Sequence, residues 1–102
     1  MYFITCFRFK EKPVKTEYPV ISSRCFGYFP DFETADKAVK GNWGDMREAN
    51  NDYAVIELIE PGIFSCAEQE NRRFYQWNEQ IGGFLPRDEF HELDYVSNFA
   101  IG

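Results

Sequence analysis

Residues 24–60 read RCFGYFPDFETADKAVKGNWGDMREANNDYAVIELIE, and the fold follows from how this stretch is divided. The aromatic segment from Arg24 to Phe29 alternates like a strand and stops at Pro30. Asp31 stands where a helix N-cap belongs, because its carboxylate can accept from the free amides of a first turn. Phe32, Ala35 and Val39 then fall on one stripe, with Ala38 beside it. Glu33, Asp36, Lys37 and Lys40 occupy the remaining surface. This spacing predicts a three-turn amphipathic helix over about 32–41, ended by Gly41 in a left-handed conformation. Asp45 followed by Glu48 has the spacing of a capping box and predicts a short second helix over about 46–50. Tyr53 to Glu60 carries the strongest strand pattern, with Ala54, Ile56 and Leu58 forming an unbroken apolar face.

The flanks add strands. Tyr2 to Lys10 alternates, and Phe3, Thr5, Phe7 and Phe9 are expected toward the core because Arg8 and Lys10 mark the other side. Both of its faces are partly apolar, which fits a central strand. Glu11 to Tyr18 is a polar connection containing Pro13. In the strand from Ser22 to Phe29, Gly27 signals a bulge or a close backbone approach. Pro61-Gly62 marks a turn into a return strand over 62–67. Arg73 to Asn78 places Phe74 and Gln76 on one face and Tyr75 and Trp77 on the other. Gly82-Gly83 then leads to a short return at Phe84-Leu85, and 88–102 fits no clean period and reads as an extended tail. The expected architecture is α+β: a single domain over 1–102, with a mainly antiparallel sheet of five or six short strands and one long helix on one face.

With 102 residues, one modest core is expected. Aromatics make up 19% of the chain, which suits a sheet backed by few helices. The formal net charge of -6 disfavours a nucleic-acid backbone as partner. Arg72 and Arg73 are the one adjacent basic pair. No window approaches the ~20 apolar residues of a membrane span. Cys6, Cys25 and Cys66 are dispersed, so free thiols in the cytoplasm are expected.

No motif fixes a catalytic set. His91 is the single histidine, with no nucleophile signature near it. The three cysteines lack the paired spacing of a zinc knuckle, and the glycines form no phosphate loop. No cofactor and no metal is implied. Cys25 reads as a thiol packed between aromatics, and Cys6 as one packed in its strand. Glu57, Glu60, Glu68, Glu70, Asp88, Glu89, Glu92 and Asp94 read as a solvated acidic face able to meet a basic partner.

The run Gly27-Tyr28-Phe29-x-Asp31-Phe32-Glu33-x-Ala35, then Asn42-Trp43-Gly44-Asp45 and a Tyr53-led strand ending in Pro61-Gly62, is followed by Phe74-Tyr75-Gln76-Trp77-Asn78-Glu79. Over about two thirds of the chain this pattern resembles small uncharacterised proteins of anaerobic Gram-positive bacteria and their phages. The resemblance implies a mobile-element or host-interaction role and brings no activity with it.

Three functional readings follow. The first is a non-catalytic protein-interaction module, with a homodimer formed through the Arg73–Trp77 hairpin and Phe74, Tyr75 and Trp77 at its interface. The second is a small-molecule binder or small enzyme with a pocket lined by Trp43, Arg47 and Tyr53. The third is a single-stranded nucleic-acid binder that stacks bases on Tyr2, Tyr28, Tyr75 and Trp77.

Overall fold

The computed structural model describes residues 1–9, 20–47, 51–60, 72–87 and 99. Five strands and one helix follow in the order β1 (Tyr2–Phe9), β2 (Val20–Phe29), α1 (Phe32–Lys40), β3 (Tyr53–Leu58), β4 (Arg72–Asn78) and β5 (Gly83–Arg87). The strands form one sheet in the order β2-β1-β3-β4-β5, and every pairing is antiparallel. The fold is therefore α+β. Because β2 and β3 both run antiparallel to β1, they are parallel to each other. α1 carries the chain between them across the face of β1, and it also touches β5.

α1 starts as its sequence requires. Asp31 is in the extended conformation and accepts from the Thr34 backbone N–H at 2.8 Å and from the Thr34 hydroxyl at 2.7 Å. Two hydrogen bonds hold the Asp31 carboxyl below its ordinary value. Glu33 lies in the first turn, Lys37 and Lys40 in the last, which suits the helix dipole. Ala35, Ala38 and Val39 are buried.

The helix ends differently from the expectation. Gly41 is right-handed at φ -86°, and Asn42 is the left-handed residue at φ 50°. Asn42 N–H donates to the Val39 carbonyl and Trp43 N–H to the Ala38 carbonyl, which is the Schellman arrangement shifted one residue along. Gly41 is needed for space instead. A Cβ there would lie 2.9 Å from Trp43 Nε1 and 3.1 Å from the Lys37 carbonyl oxygen.

The expected second helix is not shown. Asp45 has φ 54°, which no N-cap adopts, and Met46 and Arg47 lie in a turn. Asn42 instead closes this turn, its Oδ1 accepting from Arg47 N–H at 3.1 Å. Residues 48–50 lie outside the described residues, as do the polar connection over 11–18, the strand expected over 62–67 and all of the 88–102 tail but Phe99.

The core has two layers because the sheet is buried on both sides. Ile4, Cys6, Ala54, Ile56, Tyr75 and Phe84 pack beneath α1. Phe7, Tyr53, Val55 and Phe99 pack on the opposite face, with Phe74 against them. β1 is interior, as its two apolar faces imply, but α1 covers Ile4 and Cys6, not the Phe3–Phe7 side. The polar Arg8 misidentified the wetter face, since it sits at the strand end and is exposed there. β3 shows the same double burial, and Leu58, expected in the core face, is only half-buried. Among the described residues, no helix is long and apolar enough to cross a membrane.

Candidate functional site

The site begins with a register fault. Ile4 pairs with Gly27 and Thr5 with Cys25, so Phe26 is an extra residue in β2. Gly27 beside it has no side chain, and a Cβ there would meet nothing within 4 Å. Facing this gap, the Schellman turn sets Trp43 beyond the end of α1, and the indole meets Phe29 edge-on at 6.2 Å. Between them lies an open depression of about 310 Å³. It is lined by Ile4 of β1, Phe26 to Phe29 of β2, Ala38 of α1, and Trp43, Gly44 and Met46 of the turn. Trp43 is 50% exposed, so one large ring meets solvent beside an apolar hollow, while the Tyr28 ring lies against Phe3 on the opposite face of the sheet. The Arg24 guanidinium lies 5.0 Å over the Phe26 ring. Among the described lining residues other than Tyr28, whose ring turns away, no side chain is an acid, base or nucleophile. Such a surface can take up an apolar group.

Trp43, Arg47 and Tyr53 do not converge. Tyr53 is buried on the face away from α1, stacked on Phe7 at 5.7 Å. Arg47 bridges Asp52 at 3.1 Å and Glu79 at 2.7 Å, with its guanidinium 4.7 Å over Trp77. Only Trp43 of the three lines the depression. The spacing in sequence could not show that the Asn42–Arg47 turn places Trp43 and Arg47 apart.

The expected interface residues occupy both faces of β4, as their alternation implies, but not an open surface. β4 is flanked by β3 and β5. Tyr75 is 0% exposed, and its hydroxyl donates to the Asp36 carboxylate. Lys40 contacts the same carboxylate at 3.0 Å. Burial pushes the Asp36 carboxyl up, but the hydrogen bonds from Tyr75 and Lys40 outweigh it and hold the group below its ordinary value. Burial, reinforced by Asp36, pushes the Tyr75 phenol well up. Trp77 packs edge-on against Phe84 at 5.2 Å beneath Arg47. Phe74 is half-buried against Phe7 and Phe99. Tyr75 is thus unavailable to a partner, and Phe74 and Trp77 are only half-exposed.

The base-stacking platform also fails to assemble. Tyr75 is buried, Trp77 is covered by Arg47, and Tyr2 rests edge-on against Phe32 at 5.9 Å. Tyr28 alone of the four is fully exposed, tilted on Phe3 at 5.3 Å.

Two further expectations are corrected. Cys25 is exposed, not packed between aromatics. Cys6 is buried, and burial, with Cys25 nearby, pushes its thiol up to about 12. Glu57 does not belong to a solvated acidic face. It is 0% exposed and accepts from Arg72 Nε at 3.1 Å and from the Phe99 backbone N–H at 3.1 Å. The Arg72 guanidinium lies 5.4 Å over the Phe99 ring. The available signal was a lone carboxylate inside the otherwise apolar run Val55 to Ile59. Cys66 and His91 lie outside the described residues. Among the described residues, no three His, Cys, Asp or Glu side chains come together as a metal site.

Comparison with protein-family models, with curated proteins and with solved structures finds no match to this chain.

Proposed function

We propose that this protein is a non-catalytic interaction module whose anchor point is the depression beside Gly27. One observation carries the reading: the β2 bulge and the Trp43 turn hold an apolar hollow open to solvent beside the half-exposed Trp43 ring. Its volume suits one aromatic or branched aliphatic side chain, and an exposed Trp at a pocket rim is a residue type that dominates protein interfaces. Trp43 is held by backbone hydrogen bonds of its own turn, so little order is lost on binding. A small polar substrate fits poorly, because such sites place several polar groups around an apolar pocket and the described lining is apolar. The net charge of -6 favours a partner segment with basic residues around its apolar anchor. A host-interaction role, of the kind the sequence resemblance implies, needs a surface of this sort.

Selection of a phage-displayed peptide library on the folded protein tests this. Enriched peptides should share an aromatic or branched aliphatic anchor and lose at least about tenfold in affinity on Trp43→Ala, roughly 1.4 kcal/mol. Enrichment of peptides that bind Trp43→Ala equally well, or no enrichment at all, overturns the reading.

A further inference from the structure

We infer that the segment seated in the depression is an extended peptide carrying carboxylates two and four residues from its apolar anchor, held by Arg24 and Arg8. This rests on the anchor reading above and adds the chemistry of what the depression takes. On β1, Ile4 and Cys6 pack beneath α1, and Arg8 continues the same face by strand alternation. On β2, Arg24 stands opposite Cys6, and Ser22 opposite Arg8. The Arg24 guanidinium lies 5.0 Å over Phe26, a lining residue of the depression, so it too is on the α1 side. Arg8 and Arg24 are both exposed. They are diagonal neighbours across one ladder, a placement that leaves about 7–8 Å between their backbones.

Charge selects the occupant. Arg47 and Arg72 are taken up by Asp52, Glu79 and Glu57. Arg8 and Arg24, among the described residues, have no ion pair and no side-chain hydrogen bond. Like charges side by side repel, and a carboxylate brought to them relieves that repulsion through charge-assisted hydrogen bonds. The net charge of -6 does not reverse this, because at physiological salt charges beyond ~8 Å are screened and the nearest free groups decide. Basic residues of the partner then belong on the other flank, where Asp45 is exposed between Gly44 and Met46 of the lining. The spacing follows from the strand. Arg24 is level with the residue two positions beyond Ile4, and Arg8 lies four beyond it, about 7 and 13 Å along at ~3.3 Å per residue. A small apolar acid reaches Arg24 alone. Spanning from the depression to Arg8 takes an extended peptide, whose own rise puts its acids two and four residues from the anchor.

A displayed peptide library with a fixed Phe or Leu and random flanks, selected on the folded protein at physiological salt, reads the outcome. Enriched peptides should lose affinity on Trp43→Ala and carry Asp or Glu two and four residues to one side of the fixed residue. A synthetic peptide of the enriched sequence, followed by fluorescence anisotropy, should bind Arg24→Glu with Arg8→Glu at least about tenfold more weakly than wild type. Exchanging the peptide's two acids for Lys should restore binding to that variant and weaken binding to the wild type. An unchanged urea midpoint shows that the variant is folded; Arg24→Gln with Arg8→Gln replaces it if it is not. Peptides that need Trp43 but lack either acid, or that bind the arginine variant as tightly as wild type, overturn the inference and leave the anchor reading standing. Peptides indifferent to Trp43→Ala, or no enrichment at all, overturn both.

Discussion

Replacing Glu57 by Gln should destabilise the fold more than almost any other single-atom change. The Glu57 side chain is 0% exposed and Arg72 only 3%. Gln keeps the volume and a carbonyl that can still accept from Phe99 N–H, so packing is held nearly constant. What is removed is the negative charge beside a buried guanidinium whose Nη2 has no hydrogen-bond partner among the described residues. Breaking a buried ion pair from one side costs ~3–5 kcal/mol, because the remaining charge is desolvated without compensation. A domain of this kind is stable by only ~5–15 kcal/mol. With a urea slope of ~1–2 kcal/mol per molar, the Glu57→Gln midpoint should fall by ~1.5 M or more. Arg72→Met alone should be comparably harmful, since it strands the carboxylate. The double variant Glu57→Gln with Arg72→Met removes both charges and should lie within ~1.5 kcal/mol of wild type. Urea denaturation of all four proteins closes the cycle. If Glu57→Gln proves too unstable to fold, recovery of the fold in the double variant gives the same answer. A Glu57→Gln cost under ~0.5 kcal/mol, or a double variant equal to the sum of the singles, would refute a desolvated pair.

Ile56→Ala should cost ~2–5 kcal/mol by leaving a cavity beneath α1, where Ile56 is 1% exposed; its urea midpoint should fall further than that of Asp31→Ala, which loses only a cap on the surface. Tyr75→Phe should cost ~1–2 kcal/mol at pH 7 by removing the hydroxyl that serves Asp36. Asp36 and Asp31 both titrate below the ordinary 3.8, so their contribution is complete above that value and is lost as pH falls through the lower folded value. The Tyr75→Phe penalty should therefore shrink in acid below 3.8, as followed by thermal melting in a pH series. In a Cys66→Ser background, iodoacetamide near pH 8 should modify the exposed Cys25 and leave Cys6 until urea is added, as mass spectrometry would show; burial keeps the Cys6 thiol near 12. Rapid labelling of Cys6 in the folded protein would contradict its place under α1.

The local signals set the elements. Asp31, the 32–39 stripe and the β-branched run after Tyr53 fix a helix and a strand through contacts within a few residues. The observed bounds, 32–40 and 53–58, follow them closely. Gly27 likewise signalled a bulge or a close backbone approach, and the ladder is interrupted beside it. The pairing order was decided elsewhere. β1 has two apolar faces, so alternation alone could not say which of them α1 covers; the crossover from β2 to β3 puts α1 over Ile4 and Cys6. Among the described strands, the same crossover leaves β2 at an edge and β4 inside, where Tyr75 is buried. Glu57 and Arg72 sit fifteen residues apart in sequence and become neighbours through the β3–β4 register. Trp43 reached the depression because Asn42, one position beyond the expected glycine, took the left-handed turn. Those outcomes depend on which backbone edges and side chains meet across the sheet, a property of the assembled chain and not of any one stretch.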